Sequence, residues 1–381
     1  MAERRVLLTG ARAPIALDLA RQFAAAGWQV HVADSQPAHA TAASAAVHAR
    51  HRLPPPRQQP HAFARALAAL CAAQQIQLLV PTCEEVFYVA AAAGLLPPNT
   101  RLAAMDLALL RRLHSKWEFL QLAAAAGVRV PDSARVDSLD QARDWAAGRP
   151  VVLKPEFSRF GVDVRLYPDG IDAAASALDG RSWVVQELLA GDEVCSYAVA
   201  RRGRLLAHAA YQPRWRIRRS ASYYFHAVQV DAIQAQTAAL VAALDYSGQI
   251  AFDWMVDGHG RATALECNPR GTSAVHLFAG SDALVQALDG QGGDCRGPQR
   301  AAAMLAPMMW LHAAPLAALS GQWPQWRQDL RAAVDVHAGE RGPRLGVLRD
   351  LGHYAWQALR GRGSVRAAST VDIEWDGAPL A

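Results

Sequence analysis

Gln249-Ile250-Ala251-Phe252-Asp253-Trp254-Met255-Val256 and Ala262-Thr263-Ala264-Leu265-Glu266-Cys267-Asn268-Pro269-Arg270 decide how this chain is read. Both runs have β character, and the turn Asp257-Gly258-His259-Gly260 between them suits a hairpin. Side chains alternate across a strand, so Glu266 and Asn268 share one face and Asp253 on the paired strand can meet them. Three hard oxygen donors would then converge, a set that suits Mg2+ held against phosphate oxygens. Arg270, just past the strand end, is placed to stabilise charge on a transferring phosphoryl group. The competing reading is that Asp253 and Glu266 are ordinary hairpin residues and that Asn268-Pro269 only starts a turn.

Upstream, Arg4 to Leu8 reads as a buried strand, Pro14 to Ala26 as a helix ended by Gly27, and Trp28 to Ala33 as a second strand closed by Asp34. A helix from Ala62 to Ala73 and a strand from Ile76 to Val80 continue the pattern, so residues 1–105 are expected to form one Rossmann-like α/β unit. Val6 to Gly10 imitates a dinucleotide-binding start. Arg12 and Ile15 stand where that fingerprint needs glycines for backbone approach to a pyrophosphate, so the NAD reading is rejected. Glu84 and Glu85 follow the strand end at Pro81, where α/β folds place ligands; they either orient an amine-bearing substrate or simply favour a helix start.

Downstream of Asp106 the pattern changes. Leu110, Leu113, Trp117, Leu120 and Ala124 recur at helical spacing, and Asp106 and Gly127 mark the ends of one long amphipathic helix. Short β-type runs follow at Val151–Lys154, Val162–Leu166, Trp183–Gln186, Val194–Ala200 and Leu205–Ala210, with a helix from Ala232 to Leu244. The expected fold class is therefore α/β plus α+β. The expected units are 1–105, 106–185, 186–300 and a helical C-terminal extension, 301–381, whose tryptophans pack onto the body. Arg214 to Arg219, with Tyr223, Tyr224 and Phe225, interleaves basic and aromatic residues as single-stranded nucleic-acid platforms do. A loop over the active site explains it more economically, and a plain solvated loop is an equal alternative.

Composition narrows the class. At 381 residues with 52% hydrophobic and 19% charged residues, the chain can bury a large core and is not disordered in character. The net charge of +5 comes almost entirely from arginine. Cys71, Cys83, Cys195, Cys267 and Cys295 are scattered without a C-x-x-C pair, which points away from a disulfide framework or zinc site and toward a reducing compartment. The apolar start is too short for a signal-peptide core, and the alanine runs fall short of the ~20 apolar residues that span a bilayer. A soluble, cytoplasmic protein is expected.

The segment from 106 to 280 resembles the ATP-grasp superfamily, in particular the branch similar to carbamoyl phosphate synthetase and PylC, whose metal strand reads E-x-N-P-R as Glu266 to Arg270 do. The resemblance implies an N-terminal pre-ATP-grasp domain, a two-subdomain ATP-grasp fold, and ATP with Mg2+ as cofactors. Lys116 in Ser115-Lys116-Trp117-Glu118 and Lys154 in Pro150-Val151-Val152-Leu153-Lys154-Pro155 match the family's phosphate-binding lysines. Val185 to Glu193 looks like the adenine hinge, with Glu187 and the backbone at Leu189 on adenine and Glu193 on the ribose. By the same resemblance Asp253, Glu266 and Asn268 hold metal and Arg270 is catalytic. One departure stands out: the family's glycine-rich lid is here Glu156 to Val162, with a single glycine, so Ser158 and Arg159 are candidates to replace backbone amides. The implied activity is a carbon–nitrogen ligase that activates a small carboxylate as an acyl phosphate for an amine. No nucleic acid or membrane partner is expected, and a homodimer is one assembly. The alternatives are carboxy-phosphate chemistry from bicarbonate and a non-catalytic nucleotide- or nucleic-acid-binding module.

Overall fold

The computed structural model describes residues 3–380 apart from 160, 162, 173, 218–221 and 363. Five parallel strands open the chain: β1 (Arg5–Thr9), β2 (Gln29–Asp34), β3 (Ala49–Arg52), β4 (Leu78–Pro81) and β5 (Arg101–Leu102), in the order β3-β2-β1-β4-β5. Val6, Leu7, Leu8, Leu79 and Val80 are fully buried because helices cover both faces, which is why these strands read as unbroken apolar runs. The carboxyl ends of β1 and β4, the place where such sheets receive ligands, carry Thr9, Gly10, Thr82 and the pair Glu84 and Glu85.

The single helix expected from Asp106 to Gly127 is two helices, Leu107–His114 and Lys116–Ala125. Ser115 breaks them with an extended backbone, φ −64° and ψ 118°. Its hydroxyl accepts from Glu118 N at 3.0 Å and donates to Glu156, so the break is a helix cap tied to the strand beyond. Leu110, Leu113, Phe119, Leu120 and Ala123 are buried on both sides of it, so the apolar periodicity runs through the break and hides it from sequence. The consequence is that Lys116 becomes the first residue of a helix.

A four-stranded antiparallel sheet follows, β6 (Ser133–Val136), β7 (Val151–Pro155), β8 (Arg165–Tyr167) and β9 (Trp183–Glu187), in the order β6-β9-β7-β8. The strand expected over Val162–Leu166 is found at Arg165–Tyr167; Val162 itself lies outside the described residues. The larger sheet contains β10 (Asp192–Arg201), β11 (Arg204–Pro213), β12 (Tyr224–Val228), β13 (Gly248–Val256), β14 (Ala262–Asn268), β15 (Ala302–Met304) and β16 (Val334–Asp335), ordered β14-β13-β10-β11-β12-β15-β16. The helix Asp231–Ala243 packs Ile233, Leu240 and Val241 against Ile250 and Phe252 of this sheet. A division at 185/186 therefore falls inside β9, and one at 300/301 cuts the larger sheet, because two of its strands come from the segment expected to be a helical extension.

Residues 306–332 pack on the larger sheet beside Trp215, Tyr223 and Tyr224, and the part from Arg341 on returns to the first unit. The helix Arg341–Gln357 buries Pro343, Gly346, Asp350, Tyr354 and Gln357, and Asp350 accepts from the backbone N–H groups of His39 at 3.0 Å and Ala40 at 2.9 Å. Gly346 permits this approach, since a Cβ there would meet the His39 carbonyl oxygen at 2.5 Å. Arg12 is clasped between Asp34 and Asp372, the latter at 2.6 Å, and Trp375 lies among Phe87, His114 and Phe157. No helix among the described residues is long and apolar enough to cross a membrane.

Candidate active site

The β13–β14 hairpin sets Asp253 directly opposite Glu266 and Ala251 opposite Asn268, with a bulge after Asp253. The three expected donors thus share one face of the sheet, and the Asp253 and Glu266 side chains are hydrogen-bonded to each other. Burial and the neighbouring carboxylate of Glu266 push Asp253 well above the usual range. Burial acts on Glu266 in the same sense, but Lys116 and Lys154 outweigh it and hold that carboxyl low.

Both lysines are almost fully buried and come from separate elements. Lys116 Nζ lies 3.4 Å from Glu266 Oε2 and donates to the Ser158 carbonyl oxygen at 2.6 Å. Lys154, near the end of β7, donates to Gln186 Oε1 at 3.0 Å and to the Leu265 carbonyl oxygen at 3.2 Å. Burial lowers the Lys154 ammonium to about 8 despite the opposing pull of Glu266. Two like-charged carboxyls sharing one half-buried face, with an amide oxygen two residues on, fit a divalent cation, whose charge would relieve their repulsion. Among the described residues there is no cluster of three His, Cys, Asp or Glu placed to hold a metal ion. The third donor here is the amide of Asn268.

Arg270 links this face to the first unit. Its Nη2 donates to Asn268 Oδ1 at 3.1 Å and to Glu84 Oε1 at 2.9 Å. Glu84 is fully buried and also takes Arg159 at 2.8 Å. Burial alone would raise Glu84, yet Arg270 and then Arg159 overcome it and hold the carboxyl at about 2. Glu85 does different work: it accepts from Thr9 Oγ1 at 2.9 Å and Thr82 N at 2.9 Å. Gly10, at φ +63°, lies so close that a Cβ there would meet Glu85 Oε2 at 2.5 Å. The pairing of Glu84 with Arg270 was missed by sequence reasoning; the strand-end position of Glu84 was its one visible signal.

The hinge residues lie to one side of this cluster. Glu187 ends β9 and accepts from Asp132 N at 3.0 Å, while Leu189 is half-buried between β9 and β10. Glu193 sits one same-face step along β10 from Cys195, the residue opposite Asp253, and is ion-paired with Arg216. Arg214 and Trp215 are instead anchored on Asp329, at 2.6 and 2.8 Å, and Arg218 and Arg219 lie outside the described residues. In the lid segment, Ser158 Oγ donates to the Pro155 carbonyl oxygen at 3.3 Å, and Arg159 is held by Glu84 and Glu374; Phe160 and Val162 are outside the described residues. A cavity of about 740 Å³ runs between the helix Pro14–Ala25 and residues 279–291 and shares no residue with the cluster.

No protein-family model matches this sequence, and no curated protein matches it either. Solved structures do match. N5-carboxyaminoimidazole synthetase from Staphylococcus aureus, complexed with ADP, superimposes with a TM-score of 0.62 at 13% identity, over 84% of this chain and 86% of that one. The biotin carboxylase domain dimer of Hydrogenobacter thermophilus 2-oxoglutarate carboxylase, in complex with MgADP, ADP and bicarbonate, gives 0.60 at 14% identity, over 76% and 70%. L-amino acid ligase from Bacillus licheniformis gives 0.56 at 14% identity, over 75% and 74%. At such identities the likeness establishes the architecture: this chain has the fold of these carboxylating and ligating enzymes, the ATP-grasp fold that the sequence resemblance implies.

Proposed function

We propose that the protein is an ATP- and Mg2+-dependent ligase that activates a small carboxylate as an acyl phosphate and joins it to an amine. The observation that carries this reading is the meeting of Lys116 and Lys154 on Glu266, opposite Asp253, since two buried cations beside two half-buried carboxylates match a metal–triphosphate complex in charge and donor type. Asp253, Glu266 and Asn268 would hold Mg2+, which would supply Lewis-acid neutralisation of phosphate charge. Lys116 and Lys154 neutralise phosphate oxygens, Glu187 and the Leu189 backbone receive adenine, and Glu193 receives the ribose hydroxyls.

In this reading the substrate carboxylate oxygen bonds to the γ-phosphorus as its bond to the bridging oxygen breaks and ADP leaves. Arg270 neutralises the group in flight. The amine nitrogen then bonds to the acyl carbon, phosphate departs with the electron pair, and the amine's proton passes to solvent. Phosphorylation is needed because a free carboxylate has too poor a leaving group for an amine to displace. The first unit supplies the substrate end, the four-stranded sheet and the larger sheet enclose the nucleotide, and the ATP supply and free cysteines suit a cytoplasmic setting.

A second reading, carboxy-phosphate formation from bicarbonate, is favoured by the likeness to the S. aureus synthetase and the H. thermophilus domain, the latter bound to bicarbonate. One assay separates them. The protein is incubated with ATP and Mg2+ plus bicarbonate alone, pooled carboxylic acids, or those acids with pooled amino acids, and nucleotide products are resolved. ADP dependent on acid and amine together is expected. ADP with bicarbonate alone would favour the second reading, AMP with pyrophosphate would overturn acyl phosphate formation, and no turnover with any pool would favour a binding module.

A further inference from the structure

The helix Arg341–Gln357 and its continuation Ala358–Arg362 carry two faces of opposite chemistry. The inner face is fixed on the first unit through Pro343, Gly346 and Asp350, so the helix is a rigid part of the body. Outward, Leu345, Leu348, Trp356 and Leu359 are 58%, 57%, 50% and 87% exposed. At 3.6 residues per turn these four fall in one stripe, with Gly352 between them. Arg344 borders it on one side, and Arg349 and Arg360 on the other. The Arg360 guanidinium lies 4.0 Å from the Trp356 ring centroid. Asp350, the helix's acidic residue, points inward, and among the described residues neither Arg344 nor Arg349 makes an ion pair.

We propose that this face docks the protein peripherally on a bilayer carrying anionic lipid. An apolar stripe of Leu and Trp flanked by unpaired arginines is the pattern that lies in a membrane interface, with the rings and leucines among the acyl boundary and the guanidinium groups at phosphate level. Charge decides against a second copy as the occupant. A twofold interface sets the same patch on both sides, so a face edged by Arg344, Arg349 and Arg360 would meet another edged by the same three arginines, with no acid on that face to answer them. An anionic lipid surface answers all three. The attachment is independent of the proposed catalytic reading, since none of these residues belongs to the candidate active site.

The test is co-sedimentation of the full chain with vesicles of equal parts phosphatidylglycerol and phosphatidylcholine, against pure phosphatidylcholine, at low and high salt. Binding to the anionic vesicles alone is expected, falling as salt shortens the range of the attraction. Arg344→Ala with Arg349→Ala is expected to weaken it roughly thirtyfold, from about fivefold per basic residue. Leu348→Glu with Trp356→Glu is expected to abolish it, with a thermal melt confirming the fold; if that variant unfolds, the arginine pair and the salt series still decide. Lys154→Met is expected to bind vesicles normally. A chain that stays in the supernatant with both vesicle types overturns the proposal. So does a concentration-dependent dimer in sedimentation velocity that Leu348→Glu with Trp356→Glu dissolves while vesicle binding is absent.

Discussion

Two charge clusters in this molecule resolve their electrostatics in opposite ways. Around Arg12 every charge is answered from within: Asp34 and Asp372 flank the guanidinium, and Ser35 donates to Asp372 at 2.6 Å. Burial raises Asp372, but its hydrogen bond to Arg12 wins and holds it low. On the β13–β14 hairpin, Asp253 and Glu266 face each other, and burial with like charge pushes Asp253 up even though two lysines stand nearby. The first cluster is complete as it stands and acts as a rivet. The second keeps two acids together beside two lysines, the arrangement on which the proposed metal–triphosphate site rests.

The sharpest way to break that contrast is to remove one acid from each cluster. Glu266→Ala is expected to cut ADP-forming turnover by about a thousandfold, the scale of losing a group that stabilises transition-state charge. Its denaturation midpoint should fall as well, because Lys116 and Lys154 lose the carboxylate that answers them. Loss of stability without loss of turnover would reverse the assignment of the two clusters.

The second test uses His114, which packs against Trp375 near the tail that completes the first cluster. Burial lowers this histidine to about 4 and leaves its Nε2 without a partner. Between about pH 6.5 and 4 the unfolded chain takes up a proton that the folded one refuses, so folding free energy falls as pH drops through that window. The contribution is on the order of 3 kcal/mol across the full span. His114→Phe should flatten this limb in denaturant titrations from neutral to acid pH; an unchanged slope would mean that the ring is not held neutral.

The smallest effect is expected for Asp372→Ala. Arg12 keeps Asp34, so the loss is about 1.5–3 kcal/mol of stability, the range for hydrogen bonds to charged groups. Denaturant midpoints measure it, and turnover at saturating ATP should stay near that of the unaltered chain.

How much of this was legible in advance follows from the kind of signal each feature leaves. The hairpin was readable because alternation and a Gly-containing turn are local, and they fix which face Asp253, Glu266 and Asn268 share. Lys116 and Lys154 were assigned by resemblance, and the structure brings both to the same carboxylate from distant elements. The break at Ser115 was invisible, since a serine hydroxyl interrupts the backbone while the apolar spacing runs on. Contacts of Arg12 with Asp372 and of Glu84 with Arg270 join segments with no shared periodicity, so only the folded chain reveals them. The strands Ala302–Met304 and Val334–Asp335 are too short to imprint alternation, and a segment read as helical proved to finish a sheet.

The clasp between Arg12 and Asp372 also bears on how the molecule is born. Its two halves are 360 residues apart. At a synthesis rate of about 5–20 residues per second, roughly 20–70 s separate the emergence of the arginine from that of its second carboxylate. Through that interval the nascent first unit must carry Arg12 with Asp34 alone and the aromatic bed of Trp375 uncovered, until the segment around Asp372 emerges.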